Sequence, residues 1–128
     1  ETNILVVDDE KEIADLLEIY LVSDGYKVFK ANNAKEGLEI LDQEEIHLVL
    51  LDIMMPGMDG YEATRAIRLS EKIDAADIPI IALTANAFAE DAKAAHDAGM
   101  NAHLSKPLDF NKLKNMLARI KKNGSVSL

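Results

Sequence analysis

Short apolar runs alternate along the chain with longer stretches in which apolar residues recur at helical spacing. Most of the runs are rich in Ile, Val and Leu, and they cover residues 4–7, 27–31, 47–51, 78–83 and 102–104. Nearly continuous apolar runs of this length are typical of parallel strands that are covered on both faces. The longer stretches place apolar side chains at i, i+3 and i+4, as in the series Ile13, Leu16, Leu17, and this spacing predicts helices.

Several helix ends are marked by residues that suit a capping role. Asn33, Asp59 and Asp109 each stand just before a periodic stretch, where their side chains can accept hydrogen bonds from free backbone N–H groups. Gly99 follows the stretch over residues 87–98 and suits the left-handed conformation that ends a helix. Five strands alternating with five helices predict an α/β domain with a parallel sheet and right-handed crossovers.

The predicted helix over residues 87–98 differs from the others. Its apolar face is almost entirely alanine, and Phe88 is its one large apolar side chain. Because alanine buries little area, we expect this helix to be held less firmly than its neighbours. Amide exchange that is equally slow in all the helices would contradict this expectation.

The length and composition indicate a single domain with a hydrophobic core and no disulfide bonds. The chain has 128 residues, 48% of them hydrophobic, which suits one domain with its own core, predicted over residues 3–122. The absence of cysteine excludes a disulfide framework and a thiolate metal site, and it fits a reducing, cytoplasmic environment. The tail over residues 123–128 (NGSVSL) shows no periodic pattern and is predicted to be a frayed end or a cloning scar.

The formal net charge of -9 favours solubility and predicts repulsion from nucleic acid phosphates and anionic membranes. No apolar stretch approaches the roughly 20 residues of a membrane-spanning helix, and no signal peptide opens the chain. We therefore expect no direct nucleic acid binding by this chain and no membrane insertion.

Residues with candidate chemistry follow four of the predicted strands at the point where each strand ends. Because the carboxyl ends of parallel strands meet at one edge of the sheet, where ligands bind in such folds, we expect these residues to lie together. They are Asp8 and Asp9 after the first strand, Asp52 at the end of the third, Thr84 and Ala85 after the fourth, and Lys106 with Pro107 after the fifth.

Three carboxylates gathered at one edge repel one another unless a cation joins them. Oxygen ligands without His or Cys favour a hard cation, which predicts Mg²⁺, with Mn²⁺ as the alternative. Lys106 can offset the charge of a phosphoryl oxygen, and the hydroxyl of Thr84 can donate to another. Asp52 is the expected phosphoryl acceptor, because it stands alone at the end of the most apolar strand. Asp8 and Asp9 are adjacent and are expected to serve the metal.

Simpler explanations exist for each of these residues taken singly. An acidic residue at a strand end often caps the next helix, which applies equally to Asp8 and Asp9. Pro56 and Gly57 form a natural turn pair, and Gly60 is expected to be structural as well. Capping and turns do not explain the joint occurrence of Asp-Asp, Asp, Thr-Ala and Lys-Pro at four strand ends.

A family resemblance is carried by four segments, ILVVDDE, LVLLDIMMPGMDGYE, IIALTA and LSKPLD. Together they resemble the receiver domain of response regulators, the CheY-like phosphoacceptor module of two-component signalling. The resemblance implies a doubly wound sheet with strand order 2-1-3-4-5. It also implies that Asp52 receives a phosphoryl group from a phosphohistidine on a sensor histidine kinase or a histidine phosphotransfer protein.

The resemblance also implies which groups hold the metal. Asp9, Asp52 and the backbone carbonyl of Met54 would bind Mg²⁺. Asp8 would act mostly through water. These assignments come from the family pattern and go beyond what strand ends alone indicate.

The phosphoryl contacts implied by the resemblance lie on the fourth and fifth strands. Thr84 and Lys106 would bind phosphoryl oxygens, Ala85 would leave access to them, and the peptide bond between Lys106 and Pro107 is expected to be cis. Phosphorylation would bias a two-state equilibrium in which the fourth helix and the fifth strand shift. That shift would change the face offered to partners, including a second copy of the chain in a phosphorylation-dependent homodimer.

His103 departs from the family pattern, which usually has Tyr or Phe three residues before the lysine. Two interpretations stay open: a harmless surface histidine, or a modified switch with some sensitivity to pH. Phosphorylation-induced shifts that are equal at about pH 6 and about pH 8 would exclude the second interpretation.

The two ends of the chain resemble different subgroups of the family. The segment ALTANAFAEDAKAAHDAGMNAHLSKPLD is similar to receivers attached to hybrid histidine kinases. The opening segment NILVVDDEKEIADLLEIYLVSDGYKVFKA is more similar to receivers of DNA-binding regulators.

Three other functions compete with this interpretation, and the sequence argues against each of them. A Mg²⁺-dependent phosphohydrolase with an aspartyl-phosphate intermediate normally has D-x-D at the end of its first strand, whereas this chain has VVDDEK. A nucleotide-binding domain would need G-x-G-x-x-G or G-x-x-x-x-G-K-[ST], and neither occurs. An interaction domain that has lost phosphorylation is disfavoured by the complete set of acidic, Thr and Lys residues.

Overall fold

The computed structural model describes residues 2–70, 77–85 and 89–123, and the side chains within these ranges except those of 89–92 and 121–123. Five strands and five helices alternate along this part of the chain, which confirms the predicted α/β class. None of the described helices is long and apolar enough to cross a membrane. In chain order the elements are β1 (Asn3–Val7), α1 (Lys11–Ser23), β2 (Lys27–Ala31), α2 (Ala34–Gln43), β3 (Leu48–Asp52), α3 (Gly60–Arg68), β4 (Ile80–Thr84), α4 (Ala89–Ala98), β5 (Ala102–Ser105) and α5 (Phe110–Asn123).

The strands form one sheet in the order β2-β1-β3-β4-β5, which confirms the predicted strand order. All four neighbouring pairs are parallel, so the carboxyl ends of the strands lie at the same edge. The strand order reverses between β1 and β3, and ligands bind outside the sheet at such a point. Asp8 directly follows β1 and Asp52 ends β3, so both flank this crevice.

Helices cover both faces of the sheet, as the continuous apolar runs predict. Leu17 of α1 and Leu113 of α5 pack with alternate strand residues on one face. Leu41 of α2 and Ile67 of α3 pack with the remaining strand residues on the other face. β3 and β4 are buried along their whole length, because each has a strand on both sides and helices on both faces. Each fully buried Leu or Ile side chain contributes about 1.5–3 kcal/mol of transfer free energy.

The three helix caps expected from the sequence are present. The side chain of Asn33 accepts a hydrogen bond of 2.9 Å from the backbone N–H of Glu36 at the start of α2. Asp109 accepts one of 3.1 Å from the first turn of α5. Asp59 and Glu62 form a complete capping box at the start of α3. A cap of this kind typically contributes about 1 kcal/mol to stability.

The fourth strand is shorter than its apolar run predicts. The run begins at residue 78, but β4 begins at Ile80, because Pro79 has no N–H to donate to a neighbouring strand. β3 extends one residue beyond its run and includes Asp52. The predicted start of the fourth helix at residue 87, with Phe88, lies outside the described residues, and so do residues 124–128 of the predicted tail. Asn123, predicted as the first residue of that tail, is instead the last residue of α5.

Arg68, at the end of α3, ties this helix to the amino edge of the sheet. Its guanidinium donates hydrogen bonds to the carbonyl oxygens of Ile78 (2.7 Å) and Gly99 (3.0 and 2.7 Å) and to Oδ1 of Asn101 (2.9 Å). Gly99 has φ 106°, the left-handed conformation expected for the residue that ends α4. No sequence motif predicts these hydrogen bonds of Arg68, because their acceptors come from separate segments of the chain.

Candidate functional site

Two carboxylates and one ammonium lie together at the carboxyl edge of the sheet. Lys106 Nζ is 3.1 Å from Oδ2 of Asp8 and 3.7 Å from Oδ2 of Asp52. Asp8 follows β1, Asp52 ends β3 and Lys106 follows β5, so three strands bring these groups together from distant parts of the chain. Both carboxylates are buried, and Asp8 is wholly inaccessible.

The strand and the loop around Asp52 hold its carboxylate in a fixed position. The four residues before it are apolar and buried, which ties the backbone of β3 into the core. Oδ1 of Asp52 accepts a hydrogen bond of 3.1 Å from the backbone N–H of Met54. The N–H of Ile53 donates to the carbonyl oxygen of Leu83 at 3.2 Å, so the chain stays attached to the sheet for one residue beyond Asp52.

Two glycines shape the loop for different physical reasons. A Cβ on Gly60 would lie 2.6 Å from the carbonyl oxygen of Asp52 and 2.6 Å from the Cα of Ile53, so α3 can start beside the end of β3 only without a side chain there. Gly57 has open space around it but φ 79°, which favours glycine in the turn that follows Pro56.

The loop after Asp52 exposes some of its side chains and buries others. Met54 is 74% exposed, whereas Met55 is buried in the core. Pro56 and Gly57 are exposed. At the neighbouring strand end, the peptide bond between Lys106 and Pro107 is cis, as the family resemblance implies.

Burial raises the pKa of Asp52 to about 7. The hydrogen bond from the N–H of Met54 and the charge of Lys106 lower this pKa, and the charge of Asp8 and a hydrogen bond with Asp9 raise it. The raising effects prevail, because a carboxylate that is removed from water beside a second carboxylate is costly to ionise. A cation bound against these oxygens would lower the pKa again.

Lys106 contacts three carboxylates. In addition to Asp8 and Asp52, its Nζ donates a hydrogen bond of 3.1 Å to Oε1 of Glu10. Burial lowers the pKa of Lys106, but the close contacts with Glu10 and Asp8 raise it above its ordinary value. Lys106 therefore remains an ammonium at neutral pH and supplies positive charge at the site.

Asp8 does not serve as the cap of the following helix. α1 begins at Lys11, and Glu10 at its N-cap position makes no side-chain cap hydrogen bond. Oδ1 of Asp8 accepts a hydrogen bond of 2.9 Å from the N–H of Glu10. Its buried Oδ2 makes no hydrogen bond within the described part of the chain, and its contact with Lys106 is an ion pair. Helix capping therefore does not account for Asp8.

Three carboxylates have oxygens close enough together to hold a metal ion. They belong to Asp8, Glu10 and Asp52, and they lie within 4.8 Å of one another. Lys106 is the ammonium that these carboxylates share, and its Nζ already pairs with the buried Oδ2 of Asp8 at 3.1 Å, so the group as a whole keeps an excess of negative charge that a cation would offset. Oxygen-only ligands suit Mg²⁺, so the residues present fit the ion that the sequence predicts.

The structure differs from the sequence prediction in where it places Asp9 and Glu10, the two acidic residues that follow Asp8. Glu10 joins the group of three carboxylates, although the sequence analysis assigns it no role. The feature of the sequence that could have identified Glu10 as a member of this group is its position directly after Asp8 and Asp9. Asp9 is exposed and lines the adjoining cavity with Met54 and Pro56, so it lies at the open side of the site.

β4 and β5 place Thr84 and Ala85 at this edge, whereas His103 lies within β5. Thr84 is buried at the end of β4, and its carbonyl oxygen accepts a hydrogen bond of 2.7 Å from the N–H of Lys106. Ala85 follows it and is exposed. His103 pairs in register with Ala82 and is half-buried. Its Nδ1 is buried without a hydrogen bond to any described residue, and its role in a switch stays a prediction.

The family model of the response regulator receiver domain matches residues 4–118. The chain belongs to this family. A curated relative of this receiver domain is the regulatory protein VanR of Enterococcus faecium, which is 43% identical over 118 residues, or 92% of this chain and 48% of VanR. The receiver domain thus spans about half the length of that relative.

Solved structures of other receiver proteins share the fold. The receiver domain of the sensor histidine kinase PA1611 from Pseudomonas aeruginosa PAO1 is 36% identical, with a TM-score of 0.83 over 92% of this chain and 95% of that chain. A magnesium ion is coordinated in the active site cleft of that structure. The chemotaxis protein CheY4 of Vibrio cholerae is 27% identical, with a TM-score of 0.87 over 93% of this chain and 98% of that chain.

Proposed function

We propose that this receiver domain accepts a phosphoryl group on Asp52 from a phosphohistidine of a sensor histidine kinase or a histidine phosphotransfer protein. The observation that carries the proposal is the buried carboxylate of Asp52, 3.7 Å from Lys106 Nζ and clustered with the carboxylates of Asp8 and Glu10. A fixed carboxylate nucleophile, a cation and a metal-binding acidic group are the parts that phosphoryl transfer to a carboxylate uses.

The transfer exchanges one bond to phosphorus for another. An oxygen of Asp52 attacks the phosphorus, the bond from phosphorus to the donor imidazole nitrogen breaks, and the bonding electron pair returns to the imidazole. We expect Oδ2 to attack, because Oδ1 is held by the N–H of Met54. The product is an acyl phosphate whose new negative charge lies close to the ammonium of Lys106.

The proposed metal site uses Asp8, Asp9, Asp52 and the backbone carbonyl of Met54, with Mg²⁺ as the ion and Mn²⁺ as a substitute. Bound there, the ion would offset the charge of the transferring phosphoryl oxygens. Support comes from the grouping of Asp8, Glu10 and Asp52, whose three carboxylates share the ammonium of Lys106 and keep an excess of negative charge. Asp9 and Met54 line the open side of the site, where water can complete the coordination that Mg²⁺ prefers.

The proposed switch runs from Thr84 to β5. Thr84 and Lys106 would bind phosphoryl oxygens, and exposed Ala85 would leave room for them. The hydrogen bond between the carbonyl of Thr84 and the N–H of Lys106 would couple movement of β4 to β5 and His103. A phosphoryl group would thereby bias which face α4 and β5 offer to partners, including a second copy of the domain.

The proposed setting is the cytoplasm, which fits a chain without cysteine. The net charge of -9 argues against direct binding of nucleic acid by this domain. We therefore expect its output to pass through contacts with protein partners.

Intact mass after incubation with acetyl phosphate and Mg²⁺ tests this function. We expect the wild type to gain one phosphoryl group, and we expect no gain in Asp52→Asn or in the presence of EDTA. Asp42→Asn, which alters an exposed carboxylate of α2, is the matched control and should be phosphorylated like the wild type.

Two other results would point to different functions. The absence of both a phosphoryl adduct and amide shifts with beryllofluoride would overturn the proposal and favour an interaction domain. Repeated turnover of an external phosphomonoester would favour a phosphohydrolase.

A further inference from the structure

Glu10 has contacts that neither helix capping nor the proposed set of metal ligands requires. It occupies the N-cap position of α1 without making a side-chain cap. Its Oε1 instead accepts a hydrogen bond of 3.1 Å from Lys106 Nζ. The side chain of Glu10 is 57% exposed, whereas that of Asp8, the other close partner of Lys106, is 0% exposed. Glu10 is therefore the exposed member of a largely buried charge cluster.

Glu10 and a phosphoryl group on Asp52 would compete for the same ammonium. Lys106 Nζ is hydrogen-bonded to Glu10, while its distance of 3.7 Å to Oδ2 of Asp52 is too long for a hydrogen bond. Because Glu10 is exposed, water can replace Lys106 as its partner, so this bond can be exchanged at little cost. The buried pair with Asp8 has no such replacement.

We propose that Glu10 is a positioning residue that holds the Lys106 ammonium back from Asp52 until a phosphoryl group arrives; this inference rests on the proposed function. Glu10 then has opposite effects on two ligands. Its charge adds to the acidic group that attracts Mg²⁺ and offsets the repulsion between Lys106 and the ion. Its hydrogen bond competes with phosphoryl oxygens for Lys106.

Glu10→Gln tests the inference, because the substitution keeps the size of the side chain and removes its charge. We expect the Mg²⁺ affinity, measured by titration calorimetry, to fall about fivefold. We expect the beryllofluoride affinity at saturating Mg²⁺, measured from the amide shifts of Thr84 and Lys106, to rise about fivefold. Loss of the fold would weaken both ligands, so opposite shifts distinguish positioning from a structural role.

Glu12→Gln is the matched control. It removes the same charge from the first turn of the same helix, at an exposed position outside the acidic group. At physiological salt we expect both affinities to stay within about twofold of the wild type.

The outcomes separate this inference from the function on which it rests. Wild-type binding of both ligands, with Glu10→Gln unshifted or shifted in the same direction for both, would overturn the role of Glu10 alone. Equal effects of Glu10→Gln and Glu12→Gln would also overturn it, because they would indicate a general charge effect. A wild type that binds neither Mg²⁺ nor beryllofluoride would overturn the proposed function, and the role of Glu10 with it.

Discussion

At the scale of single residues, the carboxylate of Asp52 is buried and must ionise beside a second carboxylate. The charge of Asp8 opposes this ionisation, and Lys106 at 3.7 Å only partly offsets it. The carboxylate is kept there by β3, whose backbone cannot move without disturbing the core. Its environment therefore favours any ligand that brings positive charge to the site.

The raised pKa of Asp52 predicts how stability depends on pH without metal. The pKa rises from its ordinary value of 3.8 to about 7 on folding, so the folded protein binds the proton more tightly. The stability that Asp52 contributes is complete below pH 3.8 and is lost as the pH rises through about 7. Asp52→Asn removes this loss, and we expect it to be more stable than the wild type by roughly 1–3 kcal/mol at about pH 8.

Urea denaturation in EDTA at about pH 5 and about pH 8 measures this effect. The stability difference between Asp52→Asn and the wild type should be larger at the higher pH. Asp42→Asn, which removes one negative charge at an exposed position of α2, is the matched control for the change in net charge. An Asp52→Asn variant that is less stable than the wild type at the higher pH would contradict the prediction.

Gly60 provides a steric test of how α3 is joined to the site. In Gly60→Ala the new Cβ would meet backbone atoms of Asp52 and Ile53 at 2.6 Å, and backbone cannot yield as a flexible side chain can. We expect a loss of about 2–3 kcal/mol of folding free energy, measured by urea denaturation, together with slower phosphorylation.

Gly57→Ala is the comparison for Gly60→Ala. Gly57 has open space around it but a positive φ of 79°. Alanine there would meet no neighbouring atom, and holding it in the left-handed conformation would cost about 1–2 kcal/mol of folding free energy. Equal stability of Gly60→Ala and the wild type would show that α3 moves away freely and that Gly60 is not required for space.

At the scale of elements, α3 joins the two edges of the sheet. It starts at Gly60 beside Asp52, where the capping box of Asp59 fixes its first turn. It ends at Arg68, whose guanidinium bonds to the segments that lead into β4 and β5. The buried hydroxyl of Thr64 donates to the carbonyl of Gly60 at 2.7 Å. α3 therefore connects the carboxyl edge of the sheet, where the candidate site lies, to contacts at the opposite edge.

Arg68→Ala tests this connection. The substitution leaves the partly buried carbonyl groups of Ile78 and Gly99 without their donor, and such groups are costly to leave unpaired. We expect a loss of about 2–4 kcal/mol in urea denaturation. Arg65→Ala, an exposed arginine of the same helix, should change stability by less than about 0.5 kcal/mol. Similar losses of stability in the two variants would show that the hydrogen bonds of the Arg68 guanidinium do not stabilise the fold.

The expectation that α4 has a lower local stability than the other helices stays a prediction. Among its described side chains the buried ones are Ala95 and Ala98, whereas α1 buries Leu17 and Leu21. This difference in buried area agrees with the reason for the prediction, and amide exchange is the measurement that decides it.

At the scale of the whole molecule, the net charge of -9 opposes compaction, and added salt relieves part of this repulsion by screening. A cation that binds only the folded site acts in addition to screening. At about 100 times its Kd, Mg²⁺ should stabilise the domain by about 2.7 kcal/mol. We expect MgCl₂ to raise the Tm more than NaCl of equal ionic strength does.

Asp52→Asn is the variant that isolates the site in this experiment. It should lose most of the Mg²⁺-specific rise in Tm, because one of the proposed ligands is no longer charged. Equal rises with MgCl₂ and with matched NaCl in the wild type would contradict specific binding.

The fold could be predicted because its signals are local in the chain. The continuous apolar runs correspond to buried strands, and the caps at Asn33, Asp59 and Asp109 are hydrogen bonds to residues three positions away. Part of the site could also be placed, because strand order and parallel pairing bring Asp8, Asp52 and the lysine after β5 to one edge.

The sequence by itself determined the order of elements, the buried faces and the residues that end each strand, because burial and capping act on neighbours in the chain. Only the tertiary structure decided which groups meet at the site. Glu10 and Lys106 are 96 residues apart, and Arg68 and Gly99 are 31 apart. Such contacts depend on where separate strands end in space. The same holds for the pKa of Asp52, which follows from burial and from charges on other strands.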